Sequence, residues 1–220
     1  MLFRSEGGRG QNRLARHIEM NQIQHFDSID ITAAILAGGE GRRLGGRDKG
    51  LMLLAGQPLV ARVIAALAGQ AQKVLVCINR NSAQYAAFAT ICTDRTPGFH
   101  GPLAGIDAAL AICATPWLLT VPVDCPQPPA DLAQRLYLAA WAAKAQLAVA
   151  HDGTRRQPIF AIYRRELACT TAPALARDSP VWRWQDECSA IEVDFSDVPR
   201  AFLNLNGEED FSFWEERHRG

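Results

Sequence analysis

A chain of 220 residues, 48% of them apolar, can bury roughly 70% of the surface its unfolded form exposes, so one well-cored domain is the default. Its 23 basic and 23 acidic residues cancel, which excludes a global field that would favour nucleic acid or an anionic membrane; phosphate recognition must be local. No apolar run approaches the ~18 residues of a membrane span, and the six cysteines form no C-x-x-C pair of the zinc or thioredoxin type.

Residues 1–27 carry Arg4, Arg9, Arg13 and Arg16, several glycines and little apolar periodicity. They lack the apolar centre of a secretory signal. They are expected to be a disordered extension, or sequence ahead of the true start at Met20, with a transit peptide as the rival. Residues 28–220 are expected to form a single domain.

From Ile31 the pattern becomes regular. Residues 31–36 form a short apolar run that ends at Gly38-Gly39, a buried strand feeding a glycine-rich loop. Residues 58–67 have helical spacing with proline near the start. A strand is expected over 73–78, a short helix over 82–89 with Ser82 as N-cap, and a strand over 90–93 that ends at Asp94. Helix 103–112, strand 117–123 ending at Asp124, and helix 131–143 follow. Strands 146–150 and 158–163 flank a polar turn. Residues 165–177 are helical or irregular, strands are expected over 191–195 and 202–205, and a helix over 208–217. Strands alternating with helices imply a three-layer, Rossmann-like α/β fold with a mostly parallel twisted sheet. Ligands bind beyond the carboxyl ends of such strands. The loop after Leu36, Asp94 and Asp124 should therefore face one crevice.

The strongest motif is the run from Leu36 and Ala37 through Gly38-Gly39-Glu40-Gly41-Arg42-Arg43-Leu44-Gly45-Gly46 to Arg47-Asp48-Lys49-Gly50. Its five glycines between 38 and 46 leave N–H groups bare to phosphate oxygens, and Arg43 and Lys49 add positive charge. Asp48-Lys49-Gly50 breaks the Walker pattern G-x-x-x-x-G-K-[ST]. Leu44 stands where a dinucleotide fingerprint needs its third glycine. A flexible surface loop is the competing reading.

In Leu118-Leu119-Thr120-Val121-Pro122-Val123-Asp124-Cys125-Pro126 a strand delivers one carboxylate between prolines. One or two carboxylates plus phosphate oxygens suffice to hold Mg²⁺, so Asp124 is a metal candidate; a helix-capping Asp is the alternative. Cys125 has no His in its local sequence and is not read as a nucleophile. Asn79 and Asp94 lie at strand ends, where turn formation competes with contact to a base or ribose. Gly101-Pro102-Leu103 opens a helix whose free N–H groups suit an anion or simply close a tight turn. Arg155, Arg156 and Gln157 sit at the polar turn, either as an exposed hairpin or as charge for a phosphate. Trp182 and Trp184 suit core packing better than stacking on a ligand.

The run from Leu36 to Leu51 resembles the signature of the molybdenum cofactor guanylyltransferases, the MobA family, within the nucleotide-sugar-type nucleotidyltransferases. Gly45-Gly46 followed by Arg47-Asp48-Lys49-Gly50 carries the likeness, which extends over all but the first 27 residues or so. The resemblance implies a cytoplasmic, Mg²⁺-dependent enzyme with its nucleotide half first and its acceptor half second. The implied reaction transfers GMP from GTP to the phosphate of molybdopterin, the molybdenum cofactor, and releases pyrophosphate. Other molybdenum cofactor biosynthesis proteins and molybdoenzyme chaperones are implied partners. It assigns catalysis to Lys49, Arg43 and Asp124, with Asp124 the metal ligand. Nucleotide contacts fall to Leu36, Ala37, Gly38, Gly39, Lys49, Asn79, Asp94, Gly101, Pro102, Leu103 and Asp124. Arg155, Arg156, Gln157, Asn204 and Asn206 are expected on the acceptor side. The chain departs from the family at Val123-Asp124-Cys125-Pro126, where Cys-Asp-Thr-Pro is frequent, and at Gly207-Glu208, where Thr-Pro commonly follows Asn-x-Asn. A cytidylyltransferase acting on the same pterin and a non-catalytic GTP-binding module are the alternatives.

Overall fold

The computed structural model describes residues 26–39, 46–95 and 101–217. Most of the expected N-terminal extension, and Arg43 with it, lies outside the described residues. Phe26 already belongs to the packed structure: its ring meets Tyr137 edge-on, with centroids 5.9 Å apart.

Strands β1 (Ile31–Leu36), β4 (Lys73–Ile78), β5 (Thr90–Thr93), β6 (Trp117–Pro122), β7 (Leu147–His151), β8 (Arg156–Arg164) and β9 (Ile191–Asp194) form one sheet. Their order is β5-β4-β1-β6-β8-β7-β9. Only β8 runs against the other six, pairing antiparallel with both β6 and β7. Two further strands, β2 (Leu53–Leu54) and β3 (Gln57–Pro58), form a separate small hairpin.

Because side chains alternate along a strand, β1 supplies both faces of the sheet. Ile31, Ala33 and Ile35 enter one core with α1 (Leu59–Ala66) and α4 (Leu132–Ala142). Ala34 enters the other, with α3 (Pro102–Ile112), α5 (Ala168–Leu175) and α6 (Val181–Glu187). Thr32, on that second face, is buried and accepts a hydrogen bond from the Thr115 hydroxyl at 2.8 Å. The expected three-layer architecture is therefore the observed one.

Helix α3 lies very close to the sheet at Gly105. A Cβ on Gly105 would stand 3.2 Å from Leu36 Cδ2 and 3.5 Å from Cys77 Cβ. This approach sets the start of α3, at Gly101, Pro102 and Leu103, beside the ends of β1 and β4.

The chain leaves β1, passes to β4 and β5 on one side, then returns to pair β6 on the other side of β1. The carboxyl ends of β1 and β6 thus flank the topological switch point, where α/β sheets bind ligands.

Besides the β2–β3 hairpin, which was not anticipated, three elements depart from the sequence reading. Helix α2 covers only Ser82–Tyr85, and its N-cap is Asn81 in the left-handed region at φ 58°, not Ser82. The strand expected over 202–205 is instead the end of a 3-10 turn, Pro199–Phe202, followed by a non-repetitive segment. There Leu205 N–H donates to the Asp124 carbonyl at 2.8 Å, so this stretch bonds the loop after β6 rather than a sheet edge. Helix α6 was not anticipated; it starts after Pro180, and its Trp184 is core, stacked on Tyr163 at 5.4 Å and donating to Thr170 Oγ1 at 2.9 Å.

A small satellite core joins the hairpin to the final helix α7 (Glu208–Arg217): Leu54, Leu59, Leu205 and Phe211, with Met52 and Trp214 against them. Arg62 lies over the Trp214 ring, and Ala55 N–H donates to Glu215 at 2.8 Å.

Leu136 on α4 is fully buried. Leu136→Ala is expected to cost about 2–5 kcal/mol through lost transfer energy and a residual cavity. Denaturant unfolding should show a lower midpoint at an unchanged slope.

Candidate active site

Lys49 opens a 3-10 turn, Lys49–Leu51, whose N-cap is Asp48; the Asp48 carboxylate accepts Gly50 N–H at 3.2 Å. Gly50 is buried, and a Cβ there would stand 2.3 Å from the Tyr85 hydroxyl and 3.0 Å from Val123 Cγ2. The Asp-Lys-Gly ending thus has a packing reason: only glycine lets the turn sit on Tyr85 and the β6 loop.

That seating aims Lys49 at Asp124. Lys49 Nζ lies 2.9 Å from Asp124 Oδ2 and donates at 3.2 Å to Asn206 Oδ1. The two charged side chains are only 20% and 19% exposed. At an effective dielectric of about 20, charges this close attract by roughly 6 kcal/mol. Desolvation of both groups offsets much of that. A pair with so small a net gain can exchange partners when a more highly charged ligand arrives.

Asp124 is fixed from two sides. Val123 N–H donates to the Leu36 carbonyl at 3.1 Å, tying the loop after β6 to the end of β1, and Leu205 N–H holds the Asp124 carbonyl. Asp124 Oδ1 is buried with no hydrogen-bond partner, as is Asn204 Oδ1. A buried, unpartnered carboxylate oxygen fits a cation that takes one or two carboxylates and completes its shell with phosphate oxygens and water. Among the described residues no group of three or more His, Cys, Asp or Glu side chains could hold a metal by itself.

The other side of the switch point is polar without a net cation. Asn79, after β4, donates to Asp94, after β5, at 2.8 Å and to the Gly38 carbonyl at 3.4 Å. The strand-end residues expected to share a crevice are thus gathered at one edge: Gly38, Asn79 and Asp94 on one flank, Asp124 on the other. Ala37 prolongs the sheet ladder, its N–H donating to the Cys77 carbonyl at 2.8 Å. The following Gly39 is exposed.

The expected acceptor residues separate into two places. Asn204 and Asn206 stand beside Asp124 and Lys49. Arg155 lies in the turn after β7, while Arg156 and Gln157 already belong to β8. Arg156 is ion-paired to Asp186, with Glu192 at 3.9 Å, so its charge is largely compensated. Gln157 donates to Asp152 at 2.6 Å. Desolvation pushes the Asp152 carboxyl up, but the N–H groups of Arg155 and Thr154 and the Gln157 amide outweigh it and hold the acid below its usual range. Trp182 is exposed and belongs to neither place.

Sequence reasoning missed Asp48, Arg80, Asn81 and Tyr85. Tyr85 and Asn81 donate to the Asp48 carboxylate at 2.5 and 2.8 Å. Arg80 donates to the carbonyls of Gly46 and Arg47 at 2.8 and 3.0 Å. The signals for them were the Arg47-Asp48-Lys49-Gly50 ending, in which Asp48 was given no role of its own, and the polar run Asn79-Arg80-Asn81-Ser82 directly after a strand.

Cys125, beside the metal candidate, is buried, donates to the Ala201 carbonyl at 3.1 Å, and has its thiol pushed up to about 12 by burial. It is a packing residue, in keeping with the sequence reading.

Residues 33–191 match the model of the MobA-like NTP transferase domain. The chain belongs to that family. A molybdenum cofactor guanylyltransferase of Vibrio cholerae is 43% identical over 178 residues, covering 80% of this chain and 87% of that protein. One of Shewanella sediminis is 40% identical over 184 residues, 83% of this chain and 94% of that protein. Among solved structures, molybdopterin-guanine dinucleotide biosynthesis protein A from Archaeoglobus fulgidus superposes with a TM-score of 0.71 at 20% identity, covering 84% of this chain and 97% of its own. A 4-diphosphocytidyl-2C-methyl-D-erythritol synthase from Anaerococcus prevotii reaches 0.64 at 11% identity, covering 88% and 100%. These last two share the fold of this chain. Family membership makes the chain a nucleotidyltransferase enzyme. No helix of the described residues is long and apolar enough to cross a membrane.

Gly50→Ala should displace the Lys49 turn, because neither the Tyr85 hydroxyl nor Val123 can yield without breaking its own contacts; a crystal structure of the variant is expected to show Lys49 withdrawn from Asp124. A thiol raised to about 12 stays protonated at pH 8. Native alkylation at that pH should therefore modify exposed Cys169 and spare Cys125, read by peptide mass.

Proposed function

We propose that this enzyme transfers GMP from GTP to the terminal phosphate of molybdopterin, forming the guanine dinucleotide cofactor and pyrophosphate. The observation that carries the reading is the meeting of Lys49, Asp124 and Asn206 at the switch point, with one Asp124 oxygen left buried and unpartnered. The names of the Vibrio and Shewanella relatives supply the guanine and the molybdenum cofactor.

A phosphate oxygen of the pterin attacks the α-phosphorus of GTP; the bond from that phosphorus to the β-phosphate bridging oxygen breaks, and pyrophosphate leaves with the electron pair. The nucleophile is already an anion, so no strong general base is needed. The chain's work is to bring two anionic partners together and hold them in line. Lys49 supplies positive charge to the phosphates, its contact with Asp124 giving way to them. With the Ala37 amide committed to the sheet, Gly38 and Gly39 are the loop's amide donors, and Arg43 adds a second cation. Asn79 and Asp94, with the start of α3 at Gly101, Pro102 and Leu103, take the guanosine. Asp124 would hold Mg²⁺, which supplies charge neutralisation across the phosphate oxygens. On the acceptor side stand Asn204 and Asn206, with Arg155, Arg156 and Gln157 along the same edge. The reading sets the reaction in the cytoplasm, where buried free thiols such as Cys77 persist.

Losing one such charge-stabilising group costs on the order of 3 kcal/mol, or ~100-fold in rate. Lys49→Ala and Asp124→Asn are each expected to lower turnover by about that factor with an unchanged circular dichroism spectrum. Wild-type protein incubated with molybdopterin and Mg²⁺ should yield the guanylylated pterin from GTP and little cytidylylated pterin from CTP, read by mass analysis. Preference for CTP, or GTP binding without pyrophosphate release, would overturn the reading.

A further inference from the structure

We propose that Asp48 is a positioning residue that aims Lys49 at the reacting phosphates, and that Tyr85 and Asn81 are the groups through which it does so. The inference rests on the function proposed above only for the identity of the reaction; the geometry stands by itself.

The Asp48 side chain is 7% exposed, and Arg80 pairs with it loosely, Nε standing 3.6 Å from Oδ2. Its closer hydrogen bonds come from neutral donors. One accepts the Tyr85 hydroxyl and Gly50 N–H, the other the Asn81 amide. A carboxylate satisfied in this way is a mechanical anchor: it fixes the backbone on both sides of Lys49 while leaving the lysine charge to its partners across the crevice. Tyr85 is fully buried, so the anchor is tied to the core rather than to the surface. Arg80 completes the clamp by holding the Gly46 and Arg47 carbonyls just upstream.

Apart from Gly50, these donors lie in one short stretch, Arg80 and Asn81 in the connection after β4 and Tyr85 at the end of α2. The same connection begins with Asn79, which faces Gly38 and Asp94. One segment therefore braces the flank expected to meet the base and the turn that carries Lys49. Between them Asn81 adopts the left-handed conformation, φ 58°, which asparagine tolerates better than most residues.

The test uses the full-length protein and the variants Asp48→Asn and Tyr85→Phe. Asn keeps an acceptor for Tyr85 but loses the second oxygen that Asn81 needs; Phe removes only a hydroxyl and preserves the packed ring. The first readout is amine acylation followed by peptide mass analysis. The chain has three lysines, Lys49, Lys73 and Lys144, of which the latter two are exposed and serve as internal references. Relative labelling of Lys49 is expected to rise in both variants while that of Lys73 and Lys144 stays constant. The second readout is a double-mutant cycle on kcat/KM for GTP. Each variant should lower it by about tenfold alone and by less than about twofold in the Lys49→Ala background, since groups acting through one another are non-additive. Unchanged Lys49 labelling in both variants, or full additivity with Lys49→Ala, would overturn the assignment. Wild-type protein that fails to use GTP would sink the proposed reaction and leave the labelling result to decide the positioning role.

Discussion

One contact organises this molecule: an ammonium from the first loop and a carboxylate from the middle of the chain, 75 positions apart, held 2.9 Å from each other in a half-buried crevice. Neither segment reaches the other by local structure. They meet because β1 and β6 are parallel neighbours, so that whatever follows each strand emerges on the same edge. The remaining features of the site read as consequences. Gly50 has no side chain because the turn must sit on Tyr85; Val123 bonds back to Leu36; Leu205 closes over the Asp124 carbonyl. Each removes a degree of freedom from one of the two charges.

The zero net charge of the chain is consistent with this economy. The proposed reaction, with its two polyanionic partners, needs no basic surface if cations are concentrated where strand ends converge. Among the described residues, several arginines are committed elsewhere. Arg135 is locked by Asp197 and stacks on Phe195, Arg156 pairs with Asp186 and Glu192, and Arg177 with Glu187. The field felt by a ligand is therefore set by the crevice rather than by the protein as a whole.

Much of the fold was legible because burial leaves a periodic trace within a single element. Strands β1, β4 and β5 have the bounds read from their apolar runs, and β6 differs at one end by a residue. Of the candidate site, Lys49 was legible as a cation of the glycine-rich loop, and Asp124, Asn79 and Asp94 as polar residues at strand ends. What failed to show were features defined by a distant partner. The two-residue strands β2 and β3 are too short to carry a period. Residues 202–205 have the apolar character of a strand, but their hydrogen bonds go to a loop. Helix α6 hides behind Pro180 and two tryptophans, one buried and one exposed. The bracing of Asp48 depends on Asn81 and Tyr85, more than thirty positions downstream, and no local pattern announces such a pairing.

The satellite core that fastens α7 to the β2–β3 hairpin also has a bearing on how the protein comes into being. Asn206 reaches Lys49 across 157 positions, and Leu205 must dock before Asp124 is enclosed. Contacts of such sequence separation close late, after the entropy of a long loop has been overcome. The crevice therefore gains its last wall only once Leu205 and Asn206 have docked, so a molecule with the β5-β4-β1-β6 half alone in place would lack the Lys49–Asn206 contact and the enclosure of Asp124.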